Sequence, residues 1–138
     1  MSKSISEVMT ANPCAIDAGR PVAHAAKMMR DEDVGLAPIV EGNRLVGTVT
    51  DRDIAIRVVA EGKDPESTKV TEIASTDVVT VDPQQDLDEA LRLMTQHQVR
   101  RLPVVEEDGR LVGVIAQADV ARSADDRRTG EFVEEISK

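Results

Sequence analysis

The chain repeats itself, and that constrains its fold more than any other feature. Val22, Ala25, Ala26 and Met29 follow the i, i+3, i+4, i+7 spacing of a buried helical stripe. The same stripe returns 65 residues later as Leu87, Ala90, Leu91 and Met94. Ala37-Pro38-Ile39-Val40 returns at the same interval as Leu102-Pro103-Val104-Val105. The second hairpin turn, Glu106-Glu107-Asp108-Gly109-Arg110, is one residue longer than Glu41-Gly42-Asn43-Arg44, and the interval then becomes 66. Leu45-Val46-Gly47 thus matches Leu111-Val112-Gly113, and Asp53 matches Asp119. A length change confined to a surface turn is the kind a repeat tolerates. The chain is therefore an internal duplication of a β-α-β-β-α unit, an α/β (α+β) fold. A unit of roughly 60 residues is marginal alone, so the two sheets are expected to bury their faces against each other.

The expected organisation is one repeat over residues 5–62, a linker over 63–69, a second repeat over 70–123 and a tail over 124–138. The spacing of Phe132, Val133 and Ile136 suggests a short amphipathic helix in that tail. Within the first repeat, a helical lead-in is expected over Ile5–Thr10 and a strand over Pro13–Ile16. Pro21 suits the first position of the stripe-bearing helix. Strands follow over Leu36–Val40 and Leu45–Thr50, then a helix from Asp51 to about Ala60. In the second repeat a strand is expected over Val78–Val81.

Composition narrows what such a fold can do. Phe132 is the sole aromatic residue among 138, so the core is aliphatic and no aromatic platform exists for stacking bases. A net charge of −9 argues against nucleic-acid backbones and anionic membranes as partners. The single cysteine, Cys14, cannot form an internal disulfide and suits a reducing compartment. The opening residues lack an apolar signal region and no run of 18 apolar residues occurs, which reads as a soluble, cytoplasmic protein.

The chemistry concentrates at Gly47-Thr48-Val49-Thr50-Asp51-Arg52-Asp53, where an apolar strand runs into a helix. Helix N-termini present unpaired N–H groups and partial positive charge, and so accept anions. A Thr50 hydroxyl and an Asp53 carboxylate there can hold a phosphate and a sugar. They can equally cap the helix in the manner of a capping box, and the two roles are compatible. Ala116 takes the hydroxyl's place in the second repeat and is a poor cap. Cys14 lies in an apolar stretch and reads as a small buried hydrophobe. His24 and His97 fall on polar helix positions without the partners a metal site needs. Asp51 and Asp53 point in different directions from a helix start and do not make a metal pair. No phosphate loop, nucleophile elbow or histidine pair is present, so no catalytic role is expected.

Three stretches carry a family likeness: Gly47-Thr-Val-Thr-Asp-Arg-Asp53, Arg100-Arg-Leu-Pro-Val104 and Gly113-Val-Ile-Ala-Gln-Ala-Asp119. Together they resemble the tandem CBS-domain pair, or Bateman module, over residues 5–123 or thereabouts. The resemblance implies a pair of repeats with pseudo-two-fold symmetry and two clefts between them, able to take an adenosine ligand such as AMP, ADP, ATP or S-adenosylmethionine, with no cofactor required. The family's ribose carboxylate corresponds to Asp53 in the first cleft and Asp119 in the second, and its N-cap hydroxyl to Thr50. Its basic residue before the proline-containing strand corresponds to Arg101, with Arg100 adjacent. The short N-terminal strand of the opposite repeat adds Asp77 and Thr80 to the first cleft, and Asn12 and Ala15 to the second.

Neither cleft matches the family pattern fully. Gly35 and Leu36 stand where Arg100 and Arg101 stand in the other repeat, and Ala116 stands where Thr50 does. An arginine fork suits phosphate, so the second cleft is the better phosphate reader and the first the better ribose site. The resemblance further implies a homodimer. The reading is of a regulatory module that senses a small adenosine ligand. Its rivals are a ligand-free structural or stress-response dimer, and an adaptor that contacts an unidentified protein through Phe132, Val133 and Ile136.

Overall fold

A computed structural model describes residues 3–123 of the chain. The tail over 124–138, with its expected helix and adaptor strip, lies outside the described residues. The elements in chain order are α1 (Ile5–Val8), β1 (Thr10–Ala11), β2 (Ile16–Asp17), α2 (Val22–Glu32), β3 (Leu36–Glu41) and β4 (Arg44–Thr50). Next come α3 (Asp51–Ile54), continued by a π-helical turn over Ala55–Val59, then α4 (Val70–Ile73) and α5 (Leu87–His97). β5 (Arg101–Val105), β6 (Leu111–Ala116) and a helix over 117–123, here α6, complete the described chain.

The duplication holds element by element. α2 and α5 each span 11 residues, and each ends on a left-handed residue, Asp33 at φ 55° and Gln98 at φ 54°. Both β-hairpins shift register at the same repeat position, between Ile39 and Val40 and between Val104 and Val105. Turn glycines supply the positive φ that closes each hairpin, Gly42 at 68° and Gly109 at 88°.

The two repeats exchange their lead-in segments reciprocally, which the sequence interval alone does not announce. β1 pairs antiparallel with β6, Thr10 opposite Val114 and Ala11 opposite Gly113. Thus the lead-in of the first repeat completes the sheet of the second, in the order β1-β6-β5. Ser75, which matches Thr10, in turn bonds Thr48 of β4, the counterpart of Val114, in both directions at 3.0 and 2.9 Å. Ile5 is fully buried in the second half among Leu87, Met94, Leu102 and Ile115. Val70 and Ile73 are buried in the first half among Val22, Met29, Ile39 and Val49. Burying side chains of this size contributes roughly 1.5–3 kcal/mol each, so a four-residue helix is worth docking away from its own repeat.

This arrangement corrects the expectation that the two sheets face each other across one core. There are two aliphatic clusters, each a sheet covered by its own half's helices and by the other repeat's lead-in. The halves also meet at their hairpin turns, where the Leu45 N–H donates to the Gly109 carbonyl and the Leu111 N–H to that of Asn43, at 3.0 and 2.9 Å.

Other expectations need local correction. The strand expected over Pro13–Ile16 is two short strands, β1 and β2, separated by an unpaired stretch over 13–15. Val78–Val81 pairs only at Val81, opposite Val104. Both segments are leaving one sheet for the other, so their backbone cannot stay in a ladder. Pro21 caps α2 from just outside it. Leu91 is 41% exposed, because Leu93 turns toward the core in its stead. The helix from Asp51 to Ala60 is interrupted by its π turn.

Candidate functional site

The exchange creates two crossings between the halves, and the sequence-assigned cleft residues lie on them or at the helix starts beside the sheets. In the first crossing, the Asn12 N–H donates to Val112 of β6 at 3.3 Å, and Ile16 then pairs with Ile39 of β3. Asn12 and Ala15 lie on this bridge, Asn12 with a left-handed φ of 50°. In the second crossing, Ser75 is bonded to β4 and Val81 to β5. Asp77 and Thr80 lie on that bridge.

At the first helix start, Thr50 and Asp53 form a complete capping box. The Asp53 N–H donates to Thr50 Oγ1 at 3.0 Å, and the Thr50 N–H donates to Asp53 Oδ2 at 2.9 Å. The other carboxylate oxygen lies 3.9 Å from Nε of Arg57 one turn on. Arg57 also donates from Nη1 to the carbonyl of Ile73 at 2.9 Å, tying this helix to the exchanged α4. At the second helix start the hydroxyl half of the box is missing. The Ala116 N–H still donates to Asp119 Oδ2 at 3.1 Å, while Arg122 Nη2 holds Oδ1 at 2.8 Å.

The two carboxylates are thus built alike: one oxygen bonds the strand's last N–H and the other meets an arginine on the next turn. Arg57 is four residues beyond Asp53, whereas Arg122 is three beyond Asp119. Both spacings bring a side chain on the next turn beside the carboxylate, so two different repeat positions supply the arginine. Sequence reasoning missed both arginines. The signal was present as Asp-to-Arg spacings of four and three on a helical pattern. Both pairs leave the arginine at least half exposed, so each contributes at most about 1 kcal/mol. Arg52, a candidate charge for the first cleft, is exposed and makes no side-chain ion pair with a described residue.

Arg100 and Arg101 stand beside the second helix start. Arg101 is registered opposite Ala116, and the Arg100 carbonyl accepts from the Gln117 N–H at 2.7 Å. Gly35 and Leu36 hold the same places in the first half, with Leu36 opposite Thr50 and the Gly35 carbonyl accepting from Asp51. Among the described residues neither Arg100 nor Arg101 has an ion-pair partner. The geometry therefore brings Arg100, Arg101 and Asp119 to one sheet end, and Thr50 and Asp53 to the other. Among the described residues no hydrogen bond joins Asp77 or Thr80 to Thr50 or Asp53, nor Asn12 or Ala15 to Asp119. A cleft of about 430 Å³, bounded by Val46, Gly47, Lys69 and Ala74, shares none of these residues.

Cys14 is exposed, contrary to the expectation of burial, because it sits in the unpaired stretch of the first crossing and Ile16 takes the core position. Its thiol is pushed above the usual range, chiefly by hydrogen bonding to the Glu32 side chain, with some desolvation and the repulsion of that carboxylate. Replacing Glu32 by Gln should lower that pKa, enlarge the thiolate fraction at pH 8 and speed alkylation by iodoacetamide severalfold. An unchanged rate in a timed mass-spectrometric assay would show that Glu32 does not govern the thiol. Among the described residues no group of three or more His, Cys, Asp or Glu side chains is placed to hold a metal ion. None of the described helices is long and apolar enough to cross a membrane.

Two exchanged β-α-β-β-α halves with matched helix-start carboxylates define a CBS-domain pair. A family model for the CBS domain matches residues 5–60 and again 70–126, and the chain belongs to that family. Among its relatives is the CBS domain-containing protein YhcV of Bacillus subtilis, 41% identical over 118 residues, covering 86% of this chain and 83% of the relative. Hypoxic response protein 1 of Mycobacterium tuberculosis is 37% identical over 131 residues, covering 94% of this chain and 91% of the relative. The crystal structure of Hypoxic Response Protein I, which holds two coordinated zinc ions, matches with a TM-score of 0.81 at 38% identity, over 87% of this chain and 98% of that one. CBSX2 in complex with AMP shares the fold at 24% identity, with a TM-score of 0.79 over 91% of this chain and 98% of that one. So does the CBS pair of protein MJ0100 with 5′-methylthioadenosine and S-adenosylmethionine, at 23% identity and a TM-score of 0.79 over 92% and 99%.

Proposed function

We propose that this chain is a regulatory module that binds an adenosine ligand in the clefts where its two repeats cross. The observation that carries the reading is the matched placement of Asp53 and Asp119, half-buried at helix starts beside inter-repeat crossings. A carboxylate so held offers acceptor lone pairs to a pair of ribose hydroxyls. Arg100 and Arg101 then serve the phosphates in the second cleft, while Thr50 and Asp53 serve the sugar in the first. Asp77 and Thr80 complete the first cleft, and Asn12 and Ala15 the second. CBS pairs of this fold bind AMP and S-adenosylmethionine, which supports the ligand class.

The module works as a homodimer in this reading. Ile56 and Val59 are 47% and 72% exposed on one helix, apolar surface that a second copy would cover. A ligand that prefers one arrangement of the halves shifts the dimer toward it, and by no more than that preference.

Isothermal titration of stripped protein with AMP, ATP and S-adenosylmethionine tests the proposal. Saturable heat with at least one of them is expected, and Thr50→Ala should weaken binding in the first cleft as well as loosening the helix cap by about 1 kcal/mol. A ligand-free structural dimer is the second reading. It is favoured by the fact that both carboxylates are already engaged by backbone and arginine. Absence of heat with all three ligands would leave that reading standing and end the first.

A further inference from the structure

The two halves differ in one piece of packing, and the difference is a hole. Gly47 and Gly113 occupy matched places on β4 and β6, and the exchanged residues above them are Ala74 and Met9. Over Gly113 the Met9 thioether lies where a Cβ would stand, so glycine is what lets the methionine chain lie down on the strand. Over Gly47 the nearest side-chain atom is the Ala74 methyl, 3.5 Å from the corresponding point, while the Ser75 carbonyl oxygen stands at 2.9 Å as that of Thr10 does over Gly113. The consequence shows in the neighbouring valines. Val112 and Met9 are both half-buried against the second cluster, whereas Val46, the counterpart of Val112, is 36% exposed and packs on neither cluster. The cleft of about 430 Å³ opens here, and small-ligand sites commonly span about 300–1,000 Å³.

The second half therefore acts as a template for what the first half lacks: an unbranched chain ending in a thioether or methylene. Lys69 and Glu41, both exposed and of opposite charge, also line the cleft. We propose that this cleft binds a zwitterionic amino acid with a straight apolar side chain, of the methionine or norleucine type. The side chain lies over Gly47, as that of Met9 lies over Gly113. The ammonium is met by Glu41 and the carboxylate by Lys69. A branched side chain is excluded because its Cβ substituents meet the Ser75 carbonyl that lies over Gly47. The cleft touches the second crossing at Thr76 but includes none of the residues assigned to adenosine, so the two proposals are tested by different variants.

Amide chemical-shift titration of the full chain tests this, using L-methionine, L-norleucine, L-isoleucine and n-butylamine. Methionine and norleucine should give saturable shifts at Gly47, Ala74 and Ala18, with affinities at least severalfold above those of isoleucine and butylamine. Lys69→Gln should weaken both amino acids severalfold. Ala74→Met should abolish the shifts by filling the cleft with the chain's own side chain. The proposal is overturned by non-saturable shifts in the unaltered protein, by equal affinity for isoleucine, or by binding that survives Ala74→Met.

Discussion

Ile5→Ala should destabilise the protein by about 2–5 kcal/mol, the usual cost of removing a fully buried isoleucine side chain. The size of the loss matters less than where it appears. Ile5 precedes the first repeat's sheet, but it is packed among Leu87, Met94, Leu102 and Ile115 of the second half. Hydrogen-exchange protection should therefore fall first over β5 and β6, with β3 and β4 less affected. A variant in the other lead-in, Ile73→Ala, should do the opposite, because Ile73 is buried with Val22, Met29 and Val49 of the first half. Urea melts of each variant give the energies, and exchange measured by mass spectrometry gives the location. If Ile5→Ala weakened β3 and β4 first, the exchange of lead-in helices would be wrong.

Asp119→Ala and Asp53→Ala should each reduce affinity for an adenosine ligand roughly 10- to 150-fold at its own cleft, the loss expected when hydrogen bonds to a charged group, worth about 1.5–3 kcal/mol, disappear. Each variant also loses a cap, Ala116 N–H to Asp119 or Thr50 N–H to Asp53. A fall in stability of about 0.5–2 kcal/mol is thus expected without ligand. Asp119→Asn separates the two effects. Its amide oxygen can still accept from Ala116, so the cap is largely kept, while the negative charge that meets Arg122 is gone. Stability near that of the unaltered chain with weakened binding is the expected pattern. Titration calorimetry alongside thermal melts would decide it. Ligand binding that is indifferent to both alanine variants would remove Asp53 and Asp119 from the clefts.

Arg57 shows how part of the site escaped a reading of residues in order. Its spacing from Asp53 fits an ion pair, but its second contact, to the carbonyl of Ile73, crosses from one repeat's helix to the other's lead-in. No periodicity announces such a contact. Cys14 was misjudged for a related reason. Its neighbours are apolar, yet the backbone at 13–15 is passing between two sheets and leaves its side chain outside. The Thr50 and Asp53 pair was legible, because a capping box is local chemistry over three residues.

The duplication, its 65- and 66-residue intervals, the helices α2 and α5, the hairpins and the capped helix starts follow from order along the chain, since each depends on contacts within a few residues or on spacing alone. Which sheet each lead-in helix joins depends on where distant surfaces fit. Ile5 and Val70 hold matching repeat positions and carry similar apolar faces, and nothing local tells either which half to enter. Only burial in three dimensions decides that, and with it the crossings that bear Asn12, Ala15, Asp77 and Thr80, and the hollow over Gly47.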